Sequence, residues 1–218
     1  LIYVLTAAAI LFGLWGRFKG LGAAPLSADE YYIARSVEDI LRTGLPEFDC
    51  GGYYTRGLLF QYTLALLQMA GMSPEFSARF VAAISSVLVL PAVYLLGRRV
   101  HSPSAGLLAV AVLAVSAWEI DIARFGRMYA PFQAVFAWYL VYFVRYTVDG
   151  DRRALPKMLL LSVVGVFTWE GGVMLALTNL LPPLIRSPEG RFSLKDVRYL
   201  ALCGLFLVAA YFATFTNF

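Results

Sequence analysis

The chain has 218 residues, 60% of them hydrophobic and 15% charged, with a mean hydropathy of +0.71. That density of long apolar runs excludes an ordinary soluble domain, whose surface needs more polar residues, and points to an integral membrane protein. The net charge of +4 does not signal nucleic acid, because the basic residues gather in short loops between apolar runs, as membrane topology requires.

A spanning helix takes about 20 apolar residues. Leu1 to Trp15 is the first apolar run, starting inside the apolar stretch itself. The polar segment that follows opens with Ser27-Ala28-Asp29-Glu30, a capping box that starts a helix. At 100° per residue, Ile33, Val37 and Ile40 share one face and Arg35, Glu38, Asp39 and Arg42 the other, so the helix is amphipathic and suited to a membrane surface. Glu30 is explained by capping. Asp29, four residues before Ile33, shares the apolar side, so its carboxylate is expected to point inward; an ionisable group at membrane depth is costly unless paired or functional.

Leu58 to Met69 is short and carries Gln61 and Gln68, which suits a second interfacial helix. Further spans are expected at Phe76 to Gly97, Ser104 to Ile122, Met128 to Val144 and Val197 to Thr216. The stretch 157–185 is too long for one helix, and the cluster Thr168-Trp169-Glu170-Gly171-Gly172 divides it into two short spans, making seven. If Leu58 to Met69 does not cross, loops 98–103, 145–157 and 186–198 lie together and hold ten of the 18 Lys and Arg but four of the 14 acids. The positive-inside rule then makes that side cytoplasmic, with 18–75, 119–127 and 168–172 on the non-cytoplasmic face of the cytoplasmic membrane. The expectation is one all-α polytopic module over 1–218 that continues beyond both ends. Cys50 and Cys203 read as free thiols, and His101 as a loop residue beside Arg98 and Arg99.

An acidic pair just after the first span, opening an amphipathic helix, resembles the GT-C superfamily of polyprenyl-phosphate-dependent glycosyltransferases. The likeness is to the branch of lipid A aminoarabinose transferases and protein O-mannosyltransferases. "ADEYYIARSVEDILRTGLPEF" is similar to that branch's Asp-Glu motif and first juxtamembrane helix, and "YYTRGLLFQYTLALLQMAG" stands in the place of its second. "SPEFSARFVAAISSVLVLPAVYLLGRR" resembles the next span and "ARFGRMYAPFQAVF" the Arg-containing start of a later one. Two departures stand out. Arg56-Gly57 replaces the Lys-Pro-Pro of aminoarabinose transferases, and Ala130-Pro131 replaces a second Asp. Glu119-Ile120-Asp121 is instead similar to the second acidic motif of oligosaccharyltransferases, as "TWEGGVMLALTNLLPP" is to their Trp-Gly-Gly stretch.

The resemblance implies a sugar donor on a long isoprenoid phosphate, membrane lipids as surroundings, and a lipid, glycan or protein acceptor attacking from the non-cytoplasmic side. It implies Asp29 as general base or acceptor anchor, with Glu30 beside it, and Arg56, Arg124 and Arg127 on the leaving phosphate, where cations stabilise developing charge. Glu119 and Asp121 orient those arginines or join Asp29 around a divalent ion, a candidate cofactor that carboxylates suit. Their bland reading is an Asp121–Arg124 pair at i,i+3. Glu170 and Tyr54 are candidates for the acceptor cleft. Tyr31, Tyr32 and Tyr53 read as interfacial aromatics, and Arg79 as an anchor first and a phosphate ligand second. A transporter or lipid flippase component fits the same composition, but transporters carry internal repeats and midplane charges, whereas here the acids cluster at one interface. A non-catalytic fragment of a larger oligosaccharyltransferase-like enzyme is the other alternative.

Overall fold

The computed structural model describes residues 2–48, 51–186 and 194–215. Among them helices are the regular secondary structure, apart from one isolated antiparallel bridge, Glu47 to Tyr53. The expectations on Leu1, Cys50, 187–193 and Thr216 lie outside the described residues.

Helix α1 spans Ile2–Phe18, and α2 spans Ala28–Thr43 with both halves of the Ser27/Glu30 capping box formed. Gly44, left-handed at φ 84°, ends α2 and turns the chain toward α3, Leu58–Met69. Helix α4, Pro74–Val100, starts from a Ser73 cap with Pro at its first position. It is the hub, packing against α5 (Pro103–Val115), α6 (Ala117–Arg124) and α7 (Tyr129–Thr147) as well as α1 and α3. Helix α8, Leu155–Thr168, packs on α7 and ends at the 3-10 turn Glu170–Gly172, followed by α9 (Val173–Thr178), α10 (Leu181–Arg186) and α11 (Leu194–Phe215).

The surface is greasier than the interior. Leu11, Leu108, Leu202 and Leu205 are exposed, while the buried contacts between helices use Ala82, Ala83, Ala92, Ala114, Ala134 and Ala137. Small residues inside and large apolar ones outside are what lipid as solvent selects. Buried polar side chains pair across helices: Tyr139 donates to Asn179 Oδ1 at 2.8 Å, and Asn179 donates to Ser162 Oγ at 2.9 Å. This network sits at Asn179, where α9 gives way to α10.

Three expectations change. The seven crossings are not supplied as seven long helices: among the described residues α4 alone is long and apolar enough to cross by itself. The span expected over Ser104 to Ile122 is broken, with α5 and α6 bent by 60°. Ser116 causes the break by leaving helical geometry (φ −61°, ψ 119°) and capping α6 through the Glu119 amide. The carbonyls freed at the end of α5 are taken up by the buried Arg17, whose Nη1 donates to Ala114 O at 2.8 Å and whose Nη2 donates to Leu113 O at 3.4 Å, while the same Nη1 donates to Gly13 O of its own helix at 3.0 Å. Its Nε donates to Ser86 Oγ. The second of the two short spans expected after Gly172 is itself broken, into α9 and α10.

Candidate functional site

The N-terminus of α2, residues 53–57, the α6–α7 connection and the turn at Trp169–Glu170 converge at the end of the bundle where α4 begins. The α2 face expected from periodicity is the buried one: Ile33, Val37 and Ile40 pack with Phe60, Leu64, Ala78 and Met128. Two charged positions behave differently from expectation. Asp39 is buried rather than solvated, covered by Arg42, whose Nη2 donates to it at 2.8 Å. Asp29 is exposed. Its azimuth matches Ile33 as expected, but it lies in the first turn, beyond the residues that neighbouring elements cover.

Glu30 goes inward instead, at 3% exposure. Its Oε1 accepts from Arg79 Nε at 3.0 Å and from the Gly126 amide at 2.8 Å; its Oε2 accepts from Arg79 Nη2 and the Ser27 amide, each at 2.9 Å. Burial pushes the Glu30 carboxyl up, but Arg79 and the Ser27 and Gly126 amides outweigh it and hold the pKa at about 2. A side chain at Gly126 would collide with Ala78 and with Glu30 itself, so glycine is needed there. Arg79 completes its coordination with the Ala24 and Pro25 carbonyls at 2.6 and 2.8 Å. Its role as a phosphate ligand is not borne out by this geometry, since a carboxylate and two carbonyls occupy its donors. Glu30 and Arg79 fix where α2 begins relative to α4 and α6, which places Asp29.

Arg127, 6% exposed, is spent differently. Its Nη1 donates to Asp29 O at 2.6 Å, its guanidinium lies 5.8 Å from the Tyr129 ring, and its Nε is buried without a hydrogen-bond partner. Arg56 Nε stands 3.5 Å from Glu170 Oε1, whose other oxygen is buried and unpaired, as is Thr55 Oγ1. Burial, assisted by Glu170, pushes the Tyr54 phenol up against the pull of Arg127 and Arg56. Gly57, at φ 69°, brings this segment against Met128 and the Thr168 carbonyl, where a side chain would meet both. Tyr54, Arg56, Arg127 and Glu170 are thus drawn together beside Asp29 from positions over 100 residues apart in sequence.

The acids of α6 are separated rather than joined. Two residues apart on a helix, Glu119 and Asp121 face different sides. Glu119 accepts from Gln133 Nε2 at 2.8 Å in a cavity of about 340 Å³ walled by Trp118, Tyr129, Phe132 and Trp169. Asp121 lines another, of about 260 Å³, with Arg124, Glu30 and Arg79. Among the described residues the Asp121–Arg124 pair does not form; Arg124 Nη1 donates to the Gly16 and Lys19 carbonyls, each at 2.7 Å, so Arg124 serves the end of α1. Among the described residues no three His, Cys, Asp or Glu side chains are placed to hold a metal ion, so Asp29, Glu119 and Asp121 do not make the divalent site. Tyr31, Tyr32 and Tyr53 are exposed, as interfacial aromatics are. His101 caps the far end of α4.

A helical bundle with exposed apolar residues, two short helices at one end and a cluster of arginines and carboxylates beneath them fits the GT-C class of membrane fold. Residues 55–216 match the family described as Dolichyl-phosphate-mannose-protein mannosyltransferase, and the chain belongs to it. Among curated proteins none matches the chain. The crystal structure of the Archaeoglobus fulgidus oligosaccharyltransferase in the apo form is similar over 99% of this chain, with a TM-score of 0.66 and 16% identity. That likeness is one of fold, and this chain spans 29% of that protein's length.

Proposed function

We propose that this chain forms the membrane portion of a glycosyltransferase that moves a sugar from a polyprenyl phosphate to a hydroxyl-bearing lipid, glycan or protein acceptor. The end bearing α2 and α3 would be the active face, on the non-cytoplasmic side of the cytoplasmic membrane. The observation that carries this reading is the grouping of Arg127, Arg56, Tyr54 and Glu170, with three buried polar atoms unpaired among them and their neighbour Thr55, against the main-chain carbonyl of Asp29, whose residue is exposed. Buried polar groups without partners are costly, and a ligand that satisfies them accounts for their retention.

In this reading the acceptor oxygen attacks the anomeric carbon as the carbon–oxygen bond to the phosphate breaks. Asp29 takes the hydroxyl proton, and the phosphate leaves with the bonding pair, its charge met by Arg127 and Arg56. Arg guanidiniums suit this task because their fork matches phosphate oxygens. Glu170 and Tyr54 line the acceptor side. Glu30 is a positioning residue.

Mass spectrometry of lipids that co-purify with the full-length protein tests the donor half: an isoprenoid phosphate on the wild type, absent from an Arg56→Gln, Arg127→Gln double variant, is expected. A folded wild type free of any isoprenoid phosphate would favour the transporter reading. Asp29→Asn tests the base: transfer should fall by about 10² to 10⁴ with the lipid still bound, and an unchanged rate removes Asp29 from the mechanism.

A further inference from the structure

The far end of the bundle carries a second cationic region, independent of the site above. Helices α4 and α7 run side by side in the same direction: Gly126, just before α7, lies against Ala78, Trp138 Nε1 donates to Leu88 O at 2.9 Å midway, and Arg99 pairs with Asp149 at the far ends. At 1.5 Å per residue, Arg98 stands roughly 30 Å along α4 from Arg79, about the thickness of a bilayer core.

Between these far ends lies a cavity of about 480 Å³. Its inner wall is apolar, formed by Leu95, Val141 and Val144, and its rim carries Arg98, Arg99, Arg145 and Asp149. Three arginines face two carboxylates, Asp149 on the rim and Asp151 beside it, so the rim holds one excess positive charge. Arg99 is taken by Asp149, and Arg145 donates Nη2 to Asp151 at 2.7 Å. Arg98 makes no hydrogen bond or ion pair among the described residues and is exposed.

We propose that this cavity binds an anionic phospholipid, with its phosphate against Arg98 and the remaining donors of Arg145, and an acyl chain along Leu95, Val141 and Val144. A free phosphate would leave the apolar wall unfilled. A zwitterionic headgroup would bring its own cation against the rim. Basic pockets between helix ends at the membrane surface select anionic headgroups for these reasons.

Titration of phosphatidylglycerol and, separately, phosphatidylcholine into the detergent-purified full-length protein, followed by native mass spectrometry, reads the site. Phosphatidylglycerol should bind at least about tenfold more tightly, and Arg98→Glu should weaken it by about tenfold or more. Arg98→Ala, which only removes charge, should weaken it about fivefold, and Arg98→Lys should retain most of the binding. Arg98 touches no partner and plays no part in the candidate active site, so these variants should leave folding and transfer unchanged. Equal binding of the two lipids, undiminished binding by the Arg98 variants, or displacement of phosphatidylglycerol by excess inorganic phosphate would overturn the proposal.

Discussion

Arg79 and Arg127 reach consecutive residues of the same helix start, and both are almost fully buried, yet they are used in opposite ways. Arg79 makes four hydrogen bonds, two to the Glu30 carboxylate and two to carbonyls. Among the described residues Arg127 donates to Asp29 O and approaches the Tyr54 phenol, and it leaves a buried Nε unpaired. Burial and charge do not separate these roles; the inventory of donors does. A guanidinium whose donors are consumed by the protein is a crosslink, and one with donors left over is, in the proposed reading, open to a ligand. By the same inventory Arg17 belongs with Arg79, and Arg56 with Arg127.

The largest effect should come from breaking the consumed pair. Glu30→Gln leaves Arg79 buried without its counter-charge, a loss of about 3 to 5 kcal/mol for pairs of this kind. Thermal unfolding in detergent reads it directly, and an unchanged melting temperature would show that Glu30 is not what holds α2 to α4. The same carboxylate sets a pH dependence. Its folded pKa of about 2 lies below its ordinary value near 4.5, so its stabilisation is complete above about 4.5 and is lost as pH falls from there toward 2. Glu30→Gln should flatten that acid limb of the stability profile.

Arg17→Met comes next. It removes donors from the Leu113 and Ala114 carbonyls where α5 breaks, and buried acceptors left open cost about 1 to 3 kcal/mol each. Some relaxation of the helix end should reduce the total to about 2 or 3 kcal/mol. A loss well below that would mean the bend at Ser116 holds without Arg17.

Local signals were the legible ones. The capping box at Ser27 and Glu30, the buried stripe Ile33–Val37–Ile40, the bounds of α3 and the turn at 168–172 follow from spacings of a few residues. The break in the third apolar run had the same kind of signal: Ser116-Ala117-Trp118-Glu119 repeats the Ser-x-x-Glu pattern of the first box, hidden by apolar residues on either side. Only half of that box forms, because the Glu119 side chain accepts from Gln133 instead of turning back. What spacing did not show was long-range partnership. Glu30 meets Arg79 across 49 residues and Gly126 across 96, and neither separation leaves a periodic trace. Hence the sequence pattern assigned the inward role to Asp29 when packing assigns it to Glu30, and it paired Asp121 with Arg124 when Arg124 reaches across to the Gly16 and Lys19 carbonyls.

The smallest effect on stability should come from Arg127→Gln, and it carries the sharpest test of the comparison. Glutamine removes a buried donor that has no partner, which offsets the lost bond to Asp29 O, so the net change should stay within about 1 kcal/mol. The ligand response should change instead. A phosphate ligand that binds only the folded protein stabilises it by about 2.7 kcal/mol at 100 times its dissociation constant, so polyprenyl phosphate should raise the melting temperature of the wild type. In Arg127→Gln that rise should largely vanish, while in Arg17→Met it should persist on a lowered baseline. If Arg127→Gln instead loses as much stability as Glu30→Gln and still responds to the lipid, Arg127 is a crosslink like Arg79. The phosphate grip would then have to be sought at Arg56, whose contact with Glu170 is longer and whose side chain is more than half exposed.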